Sequence, residues 1–174
     1  LFFFSQAILI SMRFSAAFKR SEELGENLVA TNAAYRRFVP KTFLENLGHS
    51  DISQVRLGDQ VQKDMTILFS DIRSFTSLSE HMSPQENFNF LNSYLKRMSP
   101  IIQKNEGFID KYIGDAIMAL FPQSGEDGLK AGIGMVAELA TYNAHRANKG
   151  YGPIEIGVGL HTGRLILGTI GSEE

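Results

Sequence analysis

The chain has 174 residues, a formal net charge of −2 and no cysteine, which fits one domain of ordinary size. The absence of cysteine excludes disulfides, thiolate zinc sites and thiol nucleophiles, and it suits a reducing compartment. The small negative charge gives no electrostatic support for nucleic-acid binding, and the spacing of the four histidines is not that of a histidine metal site.

The first twelve residues, LFFFSQAILISM, are mostly apolar and are followed by Arg13, Lys19 and Arg20. Twelve residues are too few to cross a bilayer, which takes about 20, and no small-residue cleavage site indicates a signal peptide. We interpret residues 1–17 as the end of a transmembrane helix and its juxtamembrane segment, with the basic residues on the cytoplasmic side. The alternative is a buried or interfacial helix start. We expect the chain to be a piece of a longer protein.

A heptad pattern runs from Phe18 to Phe38, with Leu28 and Tyr35 at one seam position and Leu24 and Phe38 at the other. Charged residues occupy the outer positions, as they do on the surface of a coiled coil. Polar residues at two seam positions and one glycine weaken the pattern. It predicts a weak coiled coil, or an amphipathic helix that packs on its own domain.

Pro40 ends the heptad helix because proline cannot continue the hydrogen-bond ladder. A second short helix, Lys41 to Leu47, closes at Gly48. We therefore assign residues 18–48 to a helical transducer and residues 49–62 to a polar linker.

The globular part, residues 63–174, alternates apolar strands with amphipathic helices. We predict helices at 74–81, 83–107 and 125–148, and strands at Met65–Phe69, Phe108–Ile113, Ala116–Phe121, Ile154–His161 and Arg164–Ile170. The second helix starts at a capping box, and its expected buried face comprises Phe88, Leu91, Leu95, Met98 and Ile102. The last two strands are expected to join at a turn, Thr162-Gly163. This order predicts an α+β fold, a ferredoxin-like βαββαβ sandwich.

Two carboxylates stand at strand ends in this fold. Asp71 follows the first strand, and Asp115 lies in the Gly-Asp turn of the central hairpin. If the hairpin lies beside the first strand the two carboxylates face each other, and such a pair is unfavourable unless a cation intervenes. Oxygen ligands select magnesium or manganese over zinc. The alternative is that both are ordinary turn residues.

Three further features suit nucleotide binding. The residues from Ile72 to Thr76 enter a helix start, where successive amides can form an anion site; the alternative is a helix capped by Ser74 without a ligand. Lys111 has donors only, which suits adenine N1 and not the N–H of guanine, unless it is a solvated edge residue. Arg164 can pair with a terminal phosphate through its planar fork, or it is a surface arginine.

The segments FSDIRSFT, GFIDKYIGDAIMALF and GVGLHTGRLILGTIG occur in the order typical of the class III adenylate and guanylate cyclases, and the chain resembles that family over about residues 40–174. Its overall organisation is similar to the bacterial membrane-anchored receptor cyclases, truncated at both ends. The resemblance implies an enzyme that converts ATP to 3′,5′-cyclic AMP and pyrophosphate, on the cytoplasmic face of a membrane and downstream of a membrane sensor.

The resemblance also implies roles for single residues. Asp71, Asp115 and the Ile72 carbonyl would hold two Mg²⁺ or Mn²⁺ ions for two-metal catalysis. Lys111 would read adenine, where guanylate cyclases usually carry glutamate, and Arg164 would meet the terminal phosphate. Main-chain phosphate contacts would come from Ser74, Phe75, Thr76 and Gly114.

The family's sites form across a homodimer interface, so metal ligands and Arg164 would come from one protomer and Lys111 from the other. A second base-reading residue, the transition-state Asn and Arg and a phosphate-binding Lys would follow the last strand. A protein ending at Glu174 is therefore expected to bind magnesium and nucleotide without useful turnover. The alternatives are a guanylate cyclase or a non-catalytic, cyclase-like nucleotide-binding or dimerisation module.

Overall fold

The computed structural model describes residues 2–35 and 39–171, and the chain divides into one unit from Leu1 to Lys41 and another from Thr42 to Glu174. In the first unit, α1 (Phe2–Tyr35) is one continuous helix, so no helix boundary falls at residue 18. The seam side chains Leu24, Leu28 and Tyr35 are exposed. The predicted seam residue Phe38 and the two arginines before it lie outside the described residues. Within the described ranges, no helix is long and apolar enough to span a bilayer.

The second helix is confirmed with the predicted bounds as α2 (Lys41–Leu47). It ends at Gly48, which has a φ of +84°, the left-handed conformation that commonly closes helices. The predicted linker contains a single 3₁₀ turn, Ile52–Gln54. Its last residues already belong to a strand.

Four strands form one sheet in the order β2-β3-β1-β4, in which every neighbouring pair is antiparallel. This is the order of the predicted ferredoxin-like sandwich, whose βαββαβ topology is confirmed. The strands are β1 (Gln60–Ile72), β2 (Phe108–Ile113), β3 (Ala116–Phe121) and β4 (Ile156–Gly168), and the helices between them are α3 (Phe75–Ser79), α4 (Pro84–Lys104) and α5 (Gly125–Ala147).

The final strand differs from the prediction of two strands joined at Thr162-Gly163. Strand β4 is continuous, and the two supposed turn residues pair with Thr66 and Met65 of β1. The hydroxyls of Thr66 and Thr162 lie 2.7 Å apart. The prediction was wrong because β1 extends over thirteen residues and provides a partner for every residue of β4, so no turn interrupts the ladder.

The main core lies between one face of the sheet and helices α4 and α5. The capping box of α4 is confirmed, with Ser83 N–H donating to Glu86 Oε2 at 2.8 Å. Its predicted buried face is partly wrong, because Phe88 is 65% exposed and Phe90 is buried. Two residues along a helix turn the side chain by about 200°, so these two phenylalanines point in opposite directions. The other buried residues of α4 are Tyr94, Met98 and Ile102.

Helix α5 is confirmed within one residue of its predicted end, although it contains several glycines. A Cβ added at Gly128 would lie 2.9 Å from Thr66 Cγ2, and one at Gly132 would lie 3.3 Å from Val158 Cγ1. These glycines allow the helix to lie close against β1 and β4, which offsets their lower helix propensity.

The opposite side of the sheet, which we call the second face, is covered only in part. A smaller apolar cluster of Met65, Phe108, Leu120 and Leu167 includes Phe43 of α2 among its partners. Further along β1, Phe69 is 44% exposed and Asp71 is exposed. The uncovered end of the second face is therefore the end where β1 delivers its carboxylate.

Candidate active site

The two aspartates predicted to face each other are brought together by the β2–β3 hairpin. Asp71 lies near the end of β1, between the buried residues Ser70 and Ile72, so its side chain belongs to the second face. Gly114 and Asp115 are the two residues of the hairpin turn. Gly114 has a φ of +64°, the positive value that tight hairpin turns require. Strand β3 pairs directly with β1, which places the turn beside the end of β1.

Contacts fix the position of Asp115. The backbone N–H of Ile72 donates to Asp115 Oδ2 at 3.0 Å. The pKa of Asp115 is raised above its ordinary value, first by burial and next by a side-chain hydrogen bond with Asp71, while the amide of Ile72 acts in the opposite direction. The two carboxyl groups therefore lie close together, and a close pair of this kind favours either a shared proton or a cation.

The electrostatics of this pair fit a divalent cation with oxygen ligands. Among residues 2–35 and 39–171, no group of three or more His, Cys, Asp or Glu side chains is arranged to hold a metal ion. Asp71 and Asp115 offer two carboxylates, and Mg²⁺ is commonly bound through one or two carboxylates together with substrate phosphates and water. The residues present thus suit magnesium or manganese shared with a phosphorylated ligand.

A buried polar contact lies beneath the carboxylates. The Ser70 Oγ and Tyr94 hydroxyl are 3.4 Å apart, and both residues are 0% exposed. The pKa of Tyr94 is raised, chiefly by burial and further by the charges of Asp115 and Asp71. The prediction from helical periodicity did not include Tyr94, which lies in the buried layer under the site.

A cavity of about 470 Å³ opens on this end of the second face. Strand β4 contributes two glycines to its wall, and Gly157 pairs with Asp71 while Gly159 pairs with Phe69. The full lining is Phe69, Ser70, Asp71, Arg73, Ala116, Gly157, Val158 and Gly159. Sequence reasoning did not assign Arg73 or the two glycines, although the alternation of glycines along an apolar strand is a signal of close approach by another group.

The predicted main-chain anion site follows Asp71 directly. Ser74 has φ +56° and ψ +30°, and its side chain makes no capping hydrogen bond to α3. The alternative role predicted for it, a side-chain cap of this helix, is therefore not seen. A non-glycine residue in this conformation costs about 1–3 kcal/mol and is typical of functional sites. Phe75 stacks on Phe90 with ring centroids 6.1 Å apart, and Thr76 is exposed.

Lys111 reaches the second face through a β-bulge. The pairing of β2 with β3 shifts between Ile109 and Lys111, so Asp110 is the extra residue. Lys111 Nζ lies 3.1 Å from Asp110 Oδ2, and Lys111 pairs with Met118, the partner of Phe69. Lys111 is therefore on the same face as Asp71. It lies level with Phe69 and two strands away, so about 10 Å separates its backbone from β1 in the plane of the sheet.

Arg164 is not brought to the aspartates. It pairs with Asp64 in the ladder, and its Nε lies 3.7 Å from Asp64 Oδ1 in an exposed ion pair. Seven residues of β4 separate it from Gly157, the partner of Asp71, which corresponds to about 23 Å along the strand. Within one chain, the predicted terminal-phosphate ligand and the carboxylate pair thus stand far apart.

The contact between the aspartates predicts an unusual pH dependence of stability. The folded pKa of Asp115 lies above its ordinary value of 3.8. At a pH between the unfolded and the folded pKa, the folded state therefore binds more protons than the unfolded state. The free energy of unfolding in EDTA should therefore rise as the pH falls through the folded pKa, until the unfolded carboxyl is protonated as well. Urea midpoints across this range, compared with those of Asp115→Asn, measure the effect. A pH-independent difference between the two proteins would contradict it, and added Mg²⁺ should diminish it.

Comparison with known proteins places this geometry in a family. Residues 58–174 match the family model described as "Adenylate and Guanylate cyclase catalytic domain". The chain is 43% identical to an adenylate cyclase of Anabaena cylindrica over 83% of its own length and 30% of that protein. It is 40% identical to the terminal-differentiation-specific adenylate cyclase of Dictyostelium discoideum, over 90% of the chain and 7% of the relative.

A solved structure supports the same assignment. The crystal structure of the guanylyl cyclase Cya2 superposes with a TM-score of 0.60 at 37% identity, covering 66% of this chain and 61% of that one. The chain spans less than a third of the two adenylate cyclases described above. The sheet order, the strand-end aspartates and these matches together establish that the chain belongs to the family of adenylate and guanylate cyclase catalytic domains.

Proposed function

We propose that the protein is an adenylate cyclase that converts ATP to 3′,5′-cyclic AMP and pyrophosphate at a site shared by two protomers. The observation that carries this proposal is the approach of Asp115 to Asp71, held by the Ile72 N–H bond to Asp115, beside an open cavity. The adenylate cyclases among the relatives favour ATP. The reaction forms a bond between the ribose O3′ and the α-phosphorus and breaks the bond to pyrophosphate, while the O3′ proton leaves.

Asp71, Asp115 and the Ile72 carbonyl are the proposed ligands of two Mg²⁺ or Mn²⁺ ions. When bound, such ions acidify the 3′-hydroxyl and neutralise the charge that develops on the departing pyrophosphate. The protein's own part is to hold the triphosphate and the ribose in line. The proposed phosphate contacts come from the main chain on either side of the aspartates. They are Ser74, Phe75 and Thr76 after Asp71, and Gly114 before Asp115.

Lys111 is the proposed adenine-reading residue, and it is assigned to the site of the partner protomer. Its ammonium lies on the second face together with the exposed Phe69, so a second copy packed on this face would receive both. A homodimer is the assembly that this arrangement and the family resemblance support.

The assignment of Arg164 to the terminal phosphate stays a prediction. It rests on the family resemblance alone, since Arg164 lies opposite Asp64 in the ladder. We also retain the proposal that α1 joins the domain to an upstream membrane sensor and that the domain works at the cytoplasmic face. It is motivated by the apolar residues 2–12 and the basic residues that follow.

The experiment is a nucleotide-conversion assay on the protein in the longest form that its gene encodes. With Mn²⁺ or Mg²⁺, ATP should yield cyclic AMP, and GTP should yield cyclic GMP at least about tenfold more slowly, the discrimination expected from one charge-assisted hydrogen bond to the base. Faster conversion of GTP would establish the guanylate cyclase alternative. Nucleotide binding or dimerisation with no product from either substrate would identify a non-catalytic module.

A further inference from the structure

The cavity beside the aspartates contains one cationic side chain among its lining residues, and it is Arg73. A Cβ added at Gly157 would lie 3.3 Å from both the Nε and the Nη2 of Arg73 and 3.4 Å from its Cζ. The guanidinium therefore lies flat across the β4 backbone at Gly157. Because Gly157 is the ladder partner of Asp71, this guanidinium borders the space in front of the carboxylate.

The main chain holds Arg73 at this place. Its backbone N–H donates to the Glu155 carbonyl at 2.8 Å. This bond directly follows the last pair of the β1–β4 ladder, which is Ile72 with Ile156. The residue is thus tied to β4 by its backbone, while its side chain returns along the same strand to Gly157. The position of the guanidinium follows from the fold and from the absence of a side chain at Gly157.

The charge of Arg73 has no protein partner in the described part of the chain. No ion pair within 4.0 Å joins it to a carboxylate there, whereas Arg164 pairs with Asp64 and Arg97 with Glu138. A guanidinium carries five N–H donors in a planar fork that matches phosphate oxygens. The cavity is also lined by the Asp71 carboxylate, and Asp115 lies next to it at the Ile72 N–H. The complementary ligand is therefore an anion that brings cations with it, such as a metal-bound polyphosphate.

We propose that Arg73 binds the polyphosphate of the nucleotide in this half-site and that Gly157 is kept small to make room for its guanidinium. This inference rests on the proposed cyclase function and deepens it. It adds Arg73 to the proposed phosphate contacts and leaves the prediction for Arg164, which stands about 23 Å further along β4, to a separate variant. Neither Arg73 nor Gly157 was among the residues assigned from the sequence.

The test uses Arg73→Ala, Arg73→Lys and Gly157→Ala in the active protein, with Arg56→Ala as a control at an exposed arginine outside the cavity. Two inhibition constants are measured against MnATP: that of pyrophosphate, which occupies the phosphate subsite, and that of adenosine, which carries no phosphate. Arg73→Ala should weaken pyrophosphate inhibition by at least about tenfold, as expected for a charge-assisted contact, and leave adenosine inhibition within about twofold. Arg73→Lys should lose less. Gly157→Ala should weaken pyrophosphate inhibition, as Arg73→Ala does, and also leave adenosine inhibition within about twofold.

Other outcomes overturn the inference in distinguishable ways. If Arg73→Ala and Arg73→Lys both retain the wild-type inhibition by pyrophosphate, Arg73 does not bind phosphate, and the cyclase function is unaffected. A parallel Arg164→Ala variant that alone weakens pyrophosphate inhibition would return the role to Arg164. Equal losses of pyrophosphate and adenosine affinity would show that Arg73 is structural. A wild-type protein that neither forms cyclic AMP nor binds pyrophosphate would refute the proposed function itself.

Discussion

Asp71→Asn and Asp115→Asn should each lower the rate of ATP cyclisation by at least about 10³-fold. Each change removes one carboxylate from the pair on which divalent-cation binding depends, and the lost transition-state stabilisation is several kcal/mol, where each 1.36 kcal/mol is a factor of ten. The measurement is cyclic AMP formation under single-turnover conditions with saturating Mn²⁺. Either variant retaining more than about a tenth of the wild-type rate would contradict the assignment.

Both variants are expected to fold. Asparagine at 115 keeps an oxygen that can accept the Ile72 N–H bond of 3.0 Å, and each change removes a like-charge contact from the metal-free protein. Asp127→Asn is the matched control, because Asp127 is partly exposed in the first turn of α5 and lies outside the cavity. Its activity should equal that of the wild type. Light scattering should give the same molar mass for all four proteins.

Lys111→Glu should change the purine preference from ATP toward GTP. The Lys111 ammonium can only donate, which suits adenine N1, whereas a carboxylate can accept from the N1–H of guanine. A hydrogen bond to a charged group is worth about 1.5–3 kcal/mol, so kcat/KM for ATP should fall by about 10–100-fold while the value for GTP rises. The two kcat/KM values, measured in competition, test this.

Asp110 complicates the substitution, since Lys111 Nζ lies 3.1 Å from its carboxylate and a glutamate at 111 would be repelled. We therefore pair Lys111→Glu with the double variant Asp110→Asn/Lys111→Glu. The double variant should show the larger gain for GTP. Lys111→Gln, which can both donate and accept, should discriminate least between the purines. An unchanged ATP-to-GTP ratio in all three variants would exclude Lys111 from base recognition.

The local parts of the fold were predictable from sequence because short-range rules decide them. The β2–β3 hairpin has the predicted bounds, since a Gly-Asp pair between two apolar runs favours a two-residue turn. The start of α4 follows from the capping box at Ser83. The approach of Asp115 to Asp71 then follows from topology, because the ferredoxin-like order places β3 beside β1.

The parts that could not be predicted depend on long-range pairing. Thr162-Gly163 has the composition of a turn, and only the length of β1 keeps this segment extended. That one difference moves Arg164 away from the aspartates. Likewise, the side of α4 that carries Phe90 faces the core because of the position of the sheet, which the periodicity of apolar residues alone did not indicate.

The cavity shows the same limit. The position of the Arg73 guanidinium depends on a glycine more than eighty residues away in sequence. The bulge at Asp110 shifts the strand register and so places Lys111 on the second face. Motif matching finds the residues that a family shares. Geometry is needed to find the neighbours that hold or accompany them.

The central claim is that two carboxylates hold divalent cations for a nucleoside triphosphate. Isothermal calorimetry with a non-hydrolysable ATP analogue tests it most directly, in wild type and in the double variant Asp71→Asn/Asp115→Asn, with Mn²⁺ and with EDTA. We expect binding by the wild type in Mn²⁺, with at least about tenfold weaker binding in EDTA and in the double variant. Equal affinity in all four conditions, or no binding by the assembled wild-type protein in Mn²⁺, would contradict the account.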